Sequence, residues 1–132
     1  MSATLVSKEY EGHSLLKHYK WTMPTIAAGE GSGSTELSLD QPLGDLQGVH
    51  IVAPGSLDFN VSIYQKSGVS TYDTDLIYFR EGMTYFIKEM GLVCPFENQD
   101  TTQVNKLYLV IDNDDGANAT GAIEVDLYIR ER

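Results

Sequence analysis

The sequence predicts an all-β protein, an antiparallel two-sheet β-sandwich of jelly-roll-like form with about eight strands, and three observations carry that prediction. Apolar and polar side chains alternate over residues 57–64 (LDFNVSIY) and 123–130 (IEVDLYIR), which gives each stretch one greasy and one wet face when extended. Glycine occurs 12 times, with Ser and Asn clusters between the apolar runs, so turns recur too often for long helices. Only residues 84–93 read as ambiguous between helix and strand. At 132 residues the chain forms one domain with enough length to bury a core unaided.

Taken in order, residues 1–13 lack alternation and are expected as an N-terminal arm, disordered alone or ordered by a partner, beside a sandwich spanning 14–132. Residues 16–22 form the first expected strand, carrying Tyr19 and Trp21. Residues 29–34 (GEGSGS) are a flexible connector too short to separate domains. Short strands follow at 36–39 and 49–53, the second stopped by the turn pair Pro54-Gly55. Residues 76–80 and 84–90 read as a hairpin around Glu81-Gly82, with a further short strand at 92–96. Residues 104–111 run into Asp112-Asn113-Asp114-Asp115-Gly116, a strong turn, and are expected to pair with 123–130.

Nineteen acidic against nine basic residues leave a net charge of −10, which disfavours nucleic acid and anionic membranes as partners. The first 21 residues run the other way, with Lys8, Lys17 and Lys20 against Glu9 and Glu11, which reads equally as a docking arrangement toward an acidic body or as ordinary scatter of charge. Cys94 is the single cysteine; its apolar neighbours mark it as a buried structural thiol. No run has the length of a signal-peptide core or a membrane span, so a cytoplasmic origin without secretion is expected. The acceptor patterns at Asn60 and Asn118 are then coincidental.

No catalytic set emerges, and no cofactor is expected. Asp112, Asp114 and Asp115 are weak calcium candidates: their oxygens fall in one turn, but the spacing misses the EF-hand pattern. Asp73 and Asp75 read as solvated loop, and His13, His18 and His50 share no metal-ligand spacing. Tyr64 and Tyr128 sit at polar-face positions of the two best strands, where each ring is expected first to pack across strands, then to anchor a protein contact, and last to stack on a sugar.

The pattern of residues 48–54, 57–64, 107–113 and 121–129 resembles the small jelly-roll-like sandwiches of tailed-phage virion proteins, covering roughly residues 34–130. That resemblance implies a non-enzymatic virion component, a capsid decoration (cement) or tail-associated subunit that self-associates and contacts other virion proteins. Leu5, Lys8, Tyr10, Leu15 and Leu16 are the arm residues expected at such contacts, with Tyr64 and Tyr128 on the body. The alternative is a carbohydrate-binding module, calcium-assisted through the 112–116 turn.

Overall fold

A computed structural model describes residues 1–12, 15–40, 43–65, 75–83, 86–97 and 106–131, and fixes only the backbone at 43, 75, 83 and 86–97. His13, Asp73 and the Cys94 thiol lie outside the described residues. Nine strands and no helix occur among the described residues: β1 (Thr4–Tyr10), β2 (Leu16–Met23), β3 (Thr35–Ser38), β4 (Leu43–Val52), β5 (Phe59–Gln65), β6 (Asp75–Met83), β7 (Phe86–Glu97), β8 (Lys106–Asn113) and β9 (Ile123–Glu131).

All pairings are antiparallel. One sheet runs β1-β2-β9-β4-β7 and the other β3-β8-β5-β6. Strands β2 to β9 thus form two four-stranded layers in jelly-roll order, and β1 extends the first sheet by one strand. Only β1–β2 and β5–β6 are sequential neighbours within a sheet; every other connection crosses between layers.

Alternation decides which side chains meet between the layers. Tyr19, Trp21, Leu46, Ile51, Val125 and Leu127 from the first sheet face Leu37, Phe59, Val61, Ile63, Leu109 and Ile111 from the second. All twelve are buried, at roughly 1.5–3 kcal/mol for each large apolar side chain removed from water. Tyr19 and Trp21 stack with ring centroids 5.5 Å apart.

Four expectations change. Residues 4–10 are not a detached arm but the edge strand of the protein's own sheet, paired to β2 from Thr4↔Thr22 to Tyr10↔Lys17. Nearly all of β1 is exposed, because it lies beyond the width of the facing sheet. Both of its faces are wet, so alternation has nothing to select it. Glu81-Gly82 is a β-bulge inside β6 instead of a hairpin turn. Both residues lie opposite Asn60 alone, between the pairs Phe59↔Met83 and Val61↔Arg80. Gly82 has φ +69°, a conformation glycine adopts freely, and its N–H donates to Asn60 Oδ1 at 2.8 Å. Residues 92–96 belong to β7, a single strand from Phe86 to Glu97. Finally, β8 and β9 do not pair: β8 lies between β3 and β5, and β9 between β2 and β4.

The Pro54-Gly55 turn is confirmed. Gly55 donates its N–H to Thr120 O at 2.7 Å, and a Cβ there would come within 2.3 Å of Ala119 O. The 29–34 connector is pinned to β8, with Ser32 N–H donating to Ile111 O at 2.7 Å.

Truncating Leu109, fully buried in β8, to alanine is expected to cost about 2–5 kcal/mol. Glu124→Ala, at an exposed outward position, should stay within ~0.5 kcal/mol of the parent. Urea denaturation midpoints of the two variants check both.

Candidate functional site

Among the described residues, most of the exposed large apolar groups lie along the lateral sides of the sandwich, with Leu57 in the β4–β5 connection a further one. On β1 and the β1–β2 turn these are Leu5, Val6, Tyr10 and Leu15; on β6 they are Leu76 and Phe79. β1 borders one sheet and β6 borders the other at the opposite lateral side, next to β7. Val6 is an extra residue between Leu5↔Trp21 and Ser7↔Lys20, a bulge that interrupts the edge ladder and discourages continuous strand addition. What this edge offers beyond the ladder is its side chains.

The anticipated contact residues separate. Leu5, Tyr10 and Leu15 are exposed and Leu16 is half-buried. Lys8 is not free for a partner: its Nζ lies 3.1 Å from Asp40 Oδ1. Tyr64 and Tyr128 are both half-buried and sit on outer faces of different sheets, so no single site contains both. Tyr64 lies opposite Tyr108 of β8. Tyr128 stacks on His18, with centroids 4.4 Å apart and planes 9° from parallel.

The 112–116 turn is organised by its own hydrogen bonds. Asp115 Oδ1 accepts the N–H groups of Ala117 (2.9 Å) and Asn118 (3.0 Å), and Oδ2 accepts Leu57 N–H (2.9 Å) and the Asn118 side-chain amide (3.0 Å). These bonds, Ala117 first and then Leu57, pull its pKa from an ordinary 3.8 to about 2. Asp114 Oδ2 accepts from Asn60 Nδ2 at 2.6 Å, and buried Asn113 bonds Ser56 Oγ at 2.7 Å. The Asp115 oxygens therefore hold the crossover to β9 together. Among the described residues no group of three or more His, Cys, Asp or Glu side chains is placed to hold a metal.

Two polar clusters escape a reading of the sequence by spacing. On the outer face of the five-stranded sheet, Asp126 of β9 bridges His18 Nε2 of β2 (2.7 Å) and His50 Nδ1 of β4 (3.2 Å). This ties three neighbouring strands and explains why an outward carboxylate is only 6% exposed.

The second cluster closes one end of the sandwich. Lys17 lies on the inward face of β2 with Tyr19, Trp21 and Met23 and is 7% exposed. Its Nζ contacts Asp40 Oδ2 and lies 4.0 Å from Glu131 Oε1. It sits 4.9 Å from the Tyr10 ring centroid and 5.4 Å from that of Tyr19. Tyr10 OH donates to the Glu131 carboxylate at 2.8–2.9 Å. Asp40 N–H donates to Tyr19 OH at 3.1 Å. Burial pulls the Lys17 pKa down, but the Asp40 hydrogen bond and the surrounding negative charge raise it overall. Asp40 is lowered, first by Lys17 and then by Lys8.

A groove of about 380 Å³ also runs between residues 1–3 and β3, lined by Ser34, Glu36, Ser38 and Tyr108.

Because the folded pKa of Asp115 lies below its ordinary value, its carboxylate stabilises the fold at neutral pH. That contribution is lost as pH falls from about 4 through about 2. Asp115→Ala should lower the melting temperature at pH 7 and remove that acid-side dependence, as read by thermal melts across the range. Comparison with protein-family models and with curated proteins returns no match for this chain.

Proposed function

We propose that this jelly roll is a non-enzymatic structural subunit of a virus particle, a phage capsid decoration or tail-associated protein that works by packing against copies of itself and other virion proteins. The supporting observation is the placement of Leu5, Val6 and Leu15 on one lateral side and Leu76 and Phe79 on the other. Different exposed apolar side chains on opposite sides suit a heterologous, head-to-tail contact, which closes into a ring when the rotation per subunit allows it. Many weak contacts repeated around such a ring give strong attachment without a deep site on any one subunit. The jelly-roll order of the strands agrees with this reading by analogy, since viral capsid domains use that architecture. The net charge of −10 makes the subunits repel one another, so assembly strengthens as salt screens the bodies.

Carbohydrate binding is the second reading, favoured by the groove that sets the Tyr108 side chain among Ser34, Glu36 and Ser38. It needs no calcium from the 112–116 turn. Saccharide binding that survives chelation and is lost in Tyr108→Ala would establish it in place of assembly.

Size-exclusion chromatography with light scattering tests the leading reading. The parent chain should form a discrete oligomer, more fully at higher ionic strength. Val6→Lys and Phe79→Lys should each abolish it, and a mixture of the two variants should recover dimers only, through the one intact pair of faces. A parent chain that stays monomeric at its solubility limit at all salt concentrations would sink the proposal.

A further inference from the structure

An amine, a carboxyl group and a second carboxyl group converge at the Lys17 cluster from three separate segments. Lys17 comes from β2, Asp40 from just past β3 and Glu131 from the end of β9. Lysine normally keeps its head in water while its stem packs; this one turns inward at the end of an apolar row. Lys17 gives up its water while Asp40 stays partly in solvent, so the pair desolvates one charge and leaves the other open to the surface. A simple pair also has no need of the second carboxylate held nearby by Tyr10.

We infer that Lys17 and Asp40 condense into an intramolecular amide, with Glu131 carrying the proton, so that a covalent bond joins the first sheet to the end of β3 in the second.

The resting state is the ion pair, and the reaction proceeds from its neutral form, reached when one proton moves from the Lys17 ammonium to the Asp40 carboxylate. The freed Nζ lone pair attacks Asp40 Cγ, forming the Nζ–Cγ bond. Negative charge gathers on Oδ1, where the Lys8 ammonium donates at 3.1 Å, an arrangement that stabilises an oxyanion. Glu131 takes a proton from the nitrogen and passes it to the departing hydroxyl on Oδ2. The Cγ–Oδ2 bond breaks, water leaves, and Glu131 returns to its starting state. Amine and carboxylic acid become amide and water, with no change of oxidation state and no co-reactant.

In water two such groups stay ionised and apart. Held in contact within a fold they gain effective molarities on the order of 10⁵–10⁸ M, which favours both the rate and the extent of condensation. The scaffold supplies that fixation: Tyr19 OH holds the Asp40 backbone N–H, and Tyr10 OH holds Glu131 through both carboxylate oxygens. The Asp40 side chain, 35% exposed, leaves the water a way out.

Intact-mass spectrometry of the denatured, purified chain tests this directly. The mass should be one water below that of the sequence, and proteolysis should yield a branched peptide joining the segments that contain Lys17 and Asp40. Lys17→Arg, which keeps the positive charge, should return the full sequence mass, and so should freshly folded Glu131→Gln. A parent chain at full mass after prolonged incubation in the folded state overturns the inference. So does water loss that persists in Lys17→Arg, since succinimide formation at Asp115-Gly116 produces the same deficit. A Glu131→Gln chain that loses water as fast as the parent overturns the role given to Glu131. The peptide map of the unsubstituted protein decides the central point even if a variant fails to fold.

Discussion

Two pleated sheets that are apolar on one side only must cover each other, and the remainder of this molecule follows from that requirement. Close packing between the layers demands that Trp21 and Val125 from one sheet meet Phe59 and Leu109 from the other in a single shared core. Every connection that crosses from one layer to the other then runs over an open end of the sandwich. The chain makes such a crossing six times among nine strands, and the crossing loops carry much of the polar organisation. Asn113 and Asp115 fasten one of these crossings and Thr120 another contact, its hydroxyl accepting Ile26 N–H at 2.9 Å.

The outer faces are organised by a different rule. With water on one side, a polar side chain there gains little unless its partners are fixed in place. Asp126 meets this condition by lying between His50, directly opposite it on β4, and His18, which reaches it diagonally from β2, where Lys20 holds the opposite position. The result is a polar row that crosses β2, β9 and β4 on the surface, parallel to the apolar rows that cross the same strands inside.

Much of the layering was legible in the sequence, and the reasons are specific. In β5 and β9 the alternation is clean because each has one buried and one outward face, and Pro54-Gly55 marks a turn by backbone chemistry alone. Strand order was not legible. β8 and β9 are consecutive and both rich in β-formers, yet local pairing preference says nothing about which layer will claim each of them. Glu81-Gly82 looked like a turn because a glycine with positive φ serves a turn and a bulge equally well. Leu5 and Val6 gave no period because an edge strand wet on both faces imposes none. The Lys17 cluster left a faint trace, a lysine in step with Tyr19, Trp21 and Met23, but its partners Asp40 and Glu131 lie too far along the chain for spacing to connect them. The exposed apolar groups are only partly readable: Leu5 and Leu15 stand outside any alternating pattern, whereas Leu76 and Phe79 on the opposite side are hidden because an outward apolar residue resembles a core residue in sequence.

Strand β9 is the last in sequence yet occupies the middle of its sheet, between β2 and β4. Until those residues emerge from the ribosome, β2 and β4 have no common neighbour, and both expose inner faces meant for burial. The sheet therefore cannot be finished from one side as synthesis proceeds; it waits for a central insertion linking residues more than a hundred positions apart. Topology of this kind slows folding and leaves nascent chains sticky for longer, so removal of residues 123–131 would divide the sheet instead of merely trimming its border.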